Sequence, residues 1–307
     1  MKAVILDDYN SMPVIGDIAI PEIGPDDVLV RVVAAALNPL DVKLHGGVLQ
    51  DYFPIEFRYV VGTDLAGRIE AVGANVTDWE KGDRIVARLD PVRGGACAGF
   101  ACVPAKYLAK VPDTIPLETA AGIPTVAGTA WQALFELGDL KAGQTVLIHA
   151  GAGGVGSFAI QFARAGGARV MTTVSGDGID IAHRLGADHV IDYRNANFAE
   201  NLSDIDLVID TIGGETHQRS FGVLRRGGKL LALVAPPDEA LANAHNVTAD
   251  FVFHMSDGER LVRVVSAIAE NSINILTDRI VSLDAFSDAF ARQSSGCARG
   301  KIIVTMA

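Results

Sequence analysis

The segment TVLIHAGAGGVG, residues 145–156, limits what this chain can fold into more than any other. Residues 145–150 form an apolar run rich in β-branched side chains, which reads as a buried parallel strand. Gly151, Gly153 and Gly156 follow in G-x-G-x-x-G spacing, and Phe158, Ile160, Phe162 and Ala163 then recur as the apolar positions of a helix. Strand, glycine turn and helix in this order are the setting in which a backbone holds a dinucleotide pyrophosphate. Gly151 is expected to let the chain turn out of the strand. Gly153 is expected to let the backbone approach the pyrophosphate, and Gly156 to let the helix pack close to the sheet. The free amides at the helix start, those of Gly154 and Val155 included, and the positive end of its dipole then face the phosphates.

With 32 glycines in 307 residues the spacing alone would say little, so its context carries the inference. The length suits two domains. At 49% hydrophobic and 21% charged residues the chain reads as globular. A net charge of −11 argues against general nucleic-acid binding and against an anionic membrane surface. No apolar run approaches a membrane span. The chain opens directly on strand-like KAVILDD, so no targeting peptide is expected and a cytoplasmic location is. Cys97, Cys102 and Cys297, an odd number, suit a reducing compartment and offer no disulfide framework.

Residues 1–120 read as mostly β. Short strands at 3–7, 28–37, 62–73, 84–89 and 99–103 are broken by Gly, Pro and Asp turns, with a short helix or turn at 38–43. This pattern predicts a compact barrel-like domain. Residues 127–137, AGTAWQALFEL, have helical period and Gly138 ends them. Apolar strands at 145–150, 169–174, 189–192, 206–211, 228–234 and 250–253 then alternate with helices at 178–185, 197–202 and 216–224. Six such strands predict a doubly wound parallel sheet. Beyond residue 253, Leu261, Val262, Val264, Val265 and Ile268 space an amphipathic helix over 259–269. A helix at 283–292 and a strand at 301–305 close the chain. This tail has no place in the six-stranded sheet. It is assigned to the first domain, giving one domain of residues 1–120 and 256–307 and an inserted cofactor domain of 121–255.

Seven segments carry a family resemblance: ALNPLDVKLHGG (36–47), GTDLAGRIEAVG (62–73), GIPTVAGTAWQAL (122–134), AGAGGVG (150–156), LGADHVIDYR (185–194), DLVIDTIGGE (206–215) and ARGKIIVTM (298–306). Together they resemble the zinc-independent quinone oxidoreductase branch of the medium-chain dehydrogenase/reductase family. The resemblance implies an α/β protein with a GroES-like, mostly-β substrate domain and a Rossmann domain. It also implies NADPH-dependent hydride transfer and a homodimer.

Zinc-dependent members of that family place a Cys where this chain has Asn38 and a His-Glu pair where it has Thr63-Asp64. They also carry a four-cysteine lobe, whereas residues 92–102 here hold only Cys97 and Cys102. Structural zinc needs four Cys or His ligands and catalytic zinc three protein ligands. No metal is therefore expected, and the two thiols read as small apolar fillers. Without a Lewis acid an alcohol is hard to polarise, so reduction of an electron-poor quinone or enone is the easier chemistry.

Sites that hold NAD usually place an acid after the second strand, about 20 residues past the glycine turn, on the ribose 2′-hydroxyl. Here that place reads Thr172-Thr173-Val174-Ser175. A carboxylate would repel a 2′-phosphate, whereas Ser175 can donate to it, which favours NADPH over NADH. Asp177 opposes that reading, and the Lys common in related reductases is missing near Gly178. By resemblance Tyr193 belongs to the same site. Arg184 is either a source of charge there or a solvated helix residue.

The resemblance also implies that Asn38 reaches the nicotinamide side, that Thr125 contacts the nicotinamide half, and that the backbone at Phe251 and Phe253 holds the carboxamide. An aromatic pair on a last strand reads more often as core. Hydride transfer demands positioning above all, and a donor or cation near the substrate oxygen lowers the barrier. Lys43 and Tyr52 are the candidates, Lys43 because enone reductases of the family carry a Lys at the end of N-P-x-D-x-K. The competing reading leaves Lys43 an exposed lysine on a short helix. Asp41 is expected to hold backbone or Lys43, and His45 and His149 to be structural. The expected function is reduction of a quinone by NADPH. Reduction of an enone double bond is the alternative, and a nucleotide-binding protein of low turnover is a reading of a different class.

Overall fold

The computed structural model describes residues 1–306, which cluster into two compact units. One comprises Met1–Thr125, Met255–Glu270 and the residues from Ile275 on; the other comprises Val126–His254 and Asn271–Asn274. The first begins with β1 (Lys2–Leu6), β2 (Val14–Asp17), β3 (Asp27–Leu37), α1 (Pro39–His45), β4 (Tyr59–Val60), β5 (Asp64–Val72), β6 (Arg84–Arg88), β7 (Phe100–Pro104), β8 (Leu108–Lys110) and α2 (Leu117–Ala120). Helix α3 (Pro124–Trp131) carries the chain out of it.

Strand β3 organises this unit. Its first half alternates buried and less buried residues, and from Ala34 to Leu37 every residue is buried. The change follows its partners: β5 lines one edge throughout, while β7 and then β16 share the other. Pro39 opens α1 at the position where a missing amide costs nothing. The apolar side chains of β3, β5, β6 and β16 share one core with Leu44, Phe286 and Phe290. The ladder β15-β16-β3-β5-β6-β8, with β7 also on β3, stays open, and β2-β1-β4 forms a separate three-stranded sheet. The expected barrel-like domain is thus built from an open sheet and a small second one.

The second unit contains β9 (Thr145–His149), α4 (Gly154–Ala165), β10 (Arg169–Val174), α5 (Gly178–Leu185), β11 (His189–Asp192), α6 (Phe198–Asn201), β12 (Ile205–Asp210), α7 (Gly214–Ser220), β13 (Leu224–Ala232), α8 (Glu239–His245) and β14 (Thr248–Phe251). All pairings in the order β11-β10-β9-β12-β13-β14 are parallel. The order reverses between β9 and β12, the topological switch point of a doubly wound fold. The α/β class with a Rossmann sheet is therefore as expected. Residues 127–137 depart from one uniform helix: α3 ends at Trp131 and Gln132–Leu137 continue as a π-helical turn. Trp131 packs edge-on against Phe135 and Phe162 at this wider turn.

The chain returns through α9 (Gly258–Glu270), β15 (Thr277–Ser282), α10 (Phe286–Ser294) and β16 (Lys301–Thr305). Helix α9 buries Leu261, Val264, Val265 and Ile268 but leaves Val262 exposed, one residue off the apolar stripe. Its neighbour β15 is an edge strand paired only with β16. Among the described residues no helix is long and apolar enough to cross a membrane.

Candidate active site

The glycine turn and its helix lie wholly within the second unit. Ala150, with φ 53°, makes the left-handed step out of β9, so the tight turn does not use freedom at Gly151. Gly151 is needed for another reason: a Cβ there would lie 2.1 Å from Thr172 Oγ1. That hydroxyl donates to the Ile148 carbonyl at 2.7 Å. A Cβ at Gly156 would lie 2.3 Å from the Ala150 carbonyl oxygen and 2.8 Å from Gly151 Cα. The first turn of α4 thus rests directly on the turn backbone. Gly153 caps α4 in an extended conformation and no side chain caps the helix. The amides of Gly154, Val155 and Gly156 therefore lack the side-chain partner that most helix starts have, which suits an anion.

Ser175 and Tyr193 are brought together by the parallel register of Val174 with Asp192. Their hydroxyls share a hydrogen bond of 2.9 Å, with Ser175 buried and Tyr193 exposed. Asp177 stands at the start of α5, and Arg184 is exposed on that helix. Phe251 and Phe253 are partly exposed rather than core, and the Phe253 carbonyl accepts from Gln132 Nε2 at 3.2 Å. Fully buried His149 links Thr173 and Ser220, each at 2.9 Å, and burial lowers its pKa to about 4.

Within the first unit, Asn38, Asp64, Thr125 and Lys301 meet in one buried polar network. Asp64 Oδ1 accepts from Thr125 Oγ1 at 2.6 Å, and its Oδ2 from Asn38 Nδ2 at 2.9 Å and the Thr125 amide at 3.2 Å. The Lys301 ammonium donates to Asn38 Oδ1 at 2.6 Å and to the Leu37 carbonyl at 2.7 Å. It stands 3.6 Å from Asp64 Oδ2. Arg88 donates from Nε to Thr125 Oγ1 and from Nη1 to Ser256 Oγ, both at 3.1 Å. Asp41 Oδ2 accepts the Asn38 amide at 2.7 Å. Asp41 therefore holds local backbone, one of the two roles expected of it. Lys301, Arg88 and Ser256 went unread in the sequence. The one signal was a lysine opening the apolar run KIIV, at a place where a charge is almost never fully buried without a partner.

Burial lowers the pKa of Lys301, opposed by Asp64 and then Asp41, and it lowers Arg88 likewise. Burial pushes Asp41 up to about 7, with Asp64 adding to the rise and the Asn38 amide opposing it. Its Oδ1 has no hydrogen-bond partner. The folded state therefore binds this proton more tightly than the unfolded chain, whose Asp titrates near 3.9. The stability this contributes is complete below about pH 4 and is lost as pH rises to about 7, by at most ~1.4 kcal/mol per pH unit. Denaturant midpoints taken across that window are expected to fall for the wild type relative to Asp41→Asn. Parallel profiles for the two proteins would remove Asp41 as the titrating group.

Lys43 is exposed on α1 and Tyr52 is 76% exposed on the loop after it. The network joins Asn38 and Thr125, while Lys43 and Tyr52 stand outside it. The positions at which zinc-dependent relatives hold the metal carry an amide, a hydroxyl and a carboxylate here. Both Asp64 oxygens are taken, and an ammonium occupies the neighbourhood. Burial holds the Cys97 thiol well above its usual pKa, and burial with Asp27 raises Cys102 to about 11. A cysteine binds zinc as its thiolate and a carboxylate needs a free oxygen, so neither these cysteines nor the network fits the metal.

A model described as the alcohol dehydrogenase GroES-like domain matches residues 24–113, and one described as zinc-binding dehydrogenase matches residues 185–304. The chain is 33% identical over 320 residues to the NADPH-dependent alkenal/one oxidoreductase, chloroplastic, of Arabidopsis thaliana, covering 99% of this chain and 79% of that one. The solved quinone oxidoreductase from Coxiella burnetii is 27% identical with a TM-score of 0.91, covering 100% of this chain and 99% of that one. The mycobacterial protein Rv1454c, solved in complex with NADPH, is 29% identical with a TM-score of 0.88 over the whole of both chains. Matching models in both halves, a relative this similar along its length and a donor set unsuited to zinc lead to one conclusion: the chain belongs to the zinc-independent, quinone-oxidoreductase-like branch of the medium-chain dehydrogenase/reductase family.

Proposed function

We propose that the protein is an NADPH-dependent oxidoreductase that reduces a quinone without a metal. The observation that carries this reading is the uncapped start of α4 together with the Ser175–Tyr193 hydroxyl pair at the end of β10. The amides of Gly154, Val155 and Gly156 would hold the pyrophosphate. Ser175 and Tyr193 would donate to a 2′-phosphate where an NAD site would present an acid, with Arg184 adding charge. The known dependence of the Arabidopsis relative on NADPH and the NADPH complex of the mycobacterial one agree with this. NADPH, when bound, supplies a hydride. Thr125, its hydroxyl held by Asp64 and Arg88, would contact the nicotinamide half, and the Phe251 and Phe253 backbone would hold the carboxamide. Asn38 has both ends of its amide engaged and acts as a support. Lys43, with Tyr52 as a second donor, would meet the negative charge that builds on the substrate oxygen.

Reduction of an enone double bond is the second reading. It is favoured by the exposed ammonium of Lys43 at the end of N-P-x-D-x-K and by the alkenal/one oxidoreductase relative. Oxidation of NADPH is expected with 1,4-benzoquinone, and a higher kcat/KM with 3-buten-2-one would favour the enone reading instead. NADPH is expected to bind at least ~10-fold more tightly than NADH, about 1.4 kcal/mol. Equal affinities would refute the 2′-phosphate argument. Binding without turnover of either acceptor would leave a nucleotide-binding protein of low turnover.

A further inference from the structure

We propose that Lys301 is a positioning residue whose ammonium sets the start of α1, and through it the place of Lys43. The proposal rests on the reading of Lys43 as the cation that meets developing charge. Helix α1 has only seven residues, too few to hold a geometry by propensity alone. Its N-cap residue, Asn38, is extended with φ −130° and ψ 157° and forms a capping box with Asp41. The capping oxygen, Asn38 Oδ1, also accepts from Lys301. The same ammonium takes the carbonyl of Leu37, so both acceptors at the helix entrance are tied to one cation. Asp64 takes the other end of the Asn38 amide, and Asp41 reaches back from the first turn to the Asn38 N–H.

Lys301 itself is placed by the sheet. The antiparallel register of Ile302 with Leu37 brings the first residue of β16 beside the entrance of α1, 263 residues away in sequence. Lys43 lies two residues beyond Asp41, and its exposed side chain has no partner among the described residues to fix it. Its location is therefore inherited from the first turn. Without the ammonium, Asn38 Oδ1 and the Leu37 carbonyl lose a charged donor inside the protein, and the entrance must adjust to replace it.

The test is a kinetic cycle on the intact protein with NADPH and the better of the two acceptors. Lys301→Met is expected to lower kcat by ~10-fold or more while the dissociation constant for NADPH stays within about 2-fold. Lys43→Met is expected to lower kcat comparably, and Lys301→Met/Lys43→Met to be no slower than Lys43→Met alone. If Lys43→Met leaves kcat unchanged, the reading of Lys43 falls and this inference with it. If Lys43→Met slows the enzyme but the two losses multiply, Lys43 keeps its role and Lys301 does not act through it. Should Lys301→Met fail to fold, Lys301→Met/Asp64→Asn removes both opposing charges and carries the same comparison, with the same two outcomes.

Discussion

Gly156→Ala is expected to weaken NADPH binding by ~100-fold or more, a loss of about 2.7 kcal/mol, and to cost ~1–3 kcal/mol of stability. The added Cβ would sit 2.3 Å from the Ala150 carbonyl oxygen and 2.8 Å from Gly151 Cα. Both are backbone atoms of the turn that joins β9 to α4, so no side-chain rotation relieves the clash. The helix start has to lift away, and its unpaired amides move with it. Gly153→Ala separates the two effects. Its Cβ meets only the Ala150 carbonyl, at 3.2 Å, on an otherwise open side of the turn. That variant is expected to keep its melting temperature close to the wild type and still lose NADPH affinity, because the methyl group stands where the phosphates approach. Fluorescence titration with NADPH and thermal denaturation of the three proteins decide the matter. Wild-type affinity in Gly156→Ala would mean that this turn does not carry the cofactor.

The two constellations differ in how far a reader of the sequence could reach them. The glycine turn is local: strand, turn and helix start fall within twelve consecutive residues, and each glycine answers to a neighbour a few residues off or to the adjoining strand. Strands β10, β11 and β16 and helix α5 begin and end where their apolar runs predict, because Gly and Asp residues bound them. Helix α8 escaped because it buries only Ala242, so it shows no apolar stripe. Edge strand β15 escaped because its six residues are mostly exposed or half-buried. The buried network is the opposite of local. Asn38, Asp64, Arg88, Thr125 and Lys301 come from five elements or their ends, and the registers of β16 on β3, β3 on β5 and β5 on β6, with the start of α3, bring them together. The segment ARGKIIVTM carried the family resemblance, yet nothing near Lys301 in sequence says what its ammonium meets. The glycine pattern was likewise legible while the reason for Gly151 was not, since Thr172 approaches it from the next strand.

Asp64→Ala is expected to be the most destabilising substitution in the network, at ~3–5 kcal/mol, because it strands charges rather than merely deleting contacts. Asp64 is wholly buried and accepts from Thr125 twice and from Asn38, with the Lys301 ammonium 3.6 Å away. Its removal leaves Lys301 with neutral hydrogen-bond acceptors only and deprives the Arg88 guanidinium of the carboxylate that most favours its charge. Both cations are buried. The neutral variant Asp64→Leu/Lys301→Met distinguishes this account from simple loss of packing. It deletes both members of the pair and fills the space with apolar groups, which at other buried pairs is close to neutral. Its stability is therefore expected to exceed that of Asp64→Ala and to lie above the sum of the two single losses by more than ~1 kcal/mol. Denaturant unfolding followed by a probe in the first unit measures the cycle. Additive losses would show that Asp64 and Lys301 stabilise the fold independently, with the ammonium held by Asn38 and the Leu37 carbonyl alone.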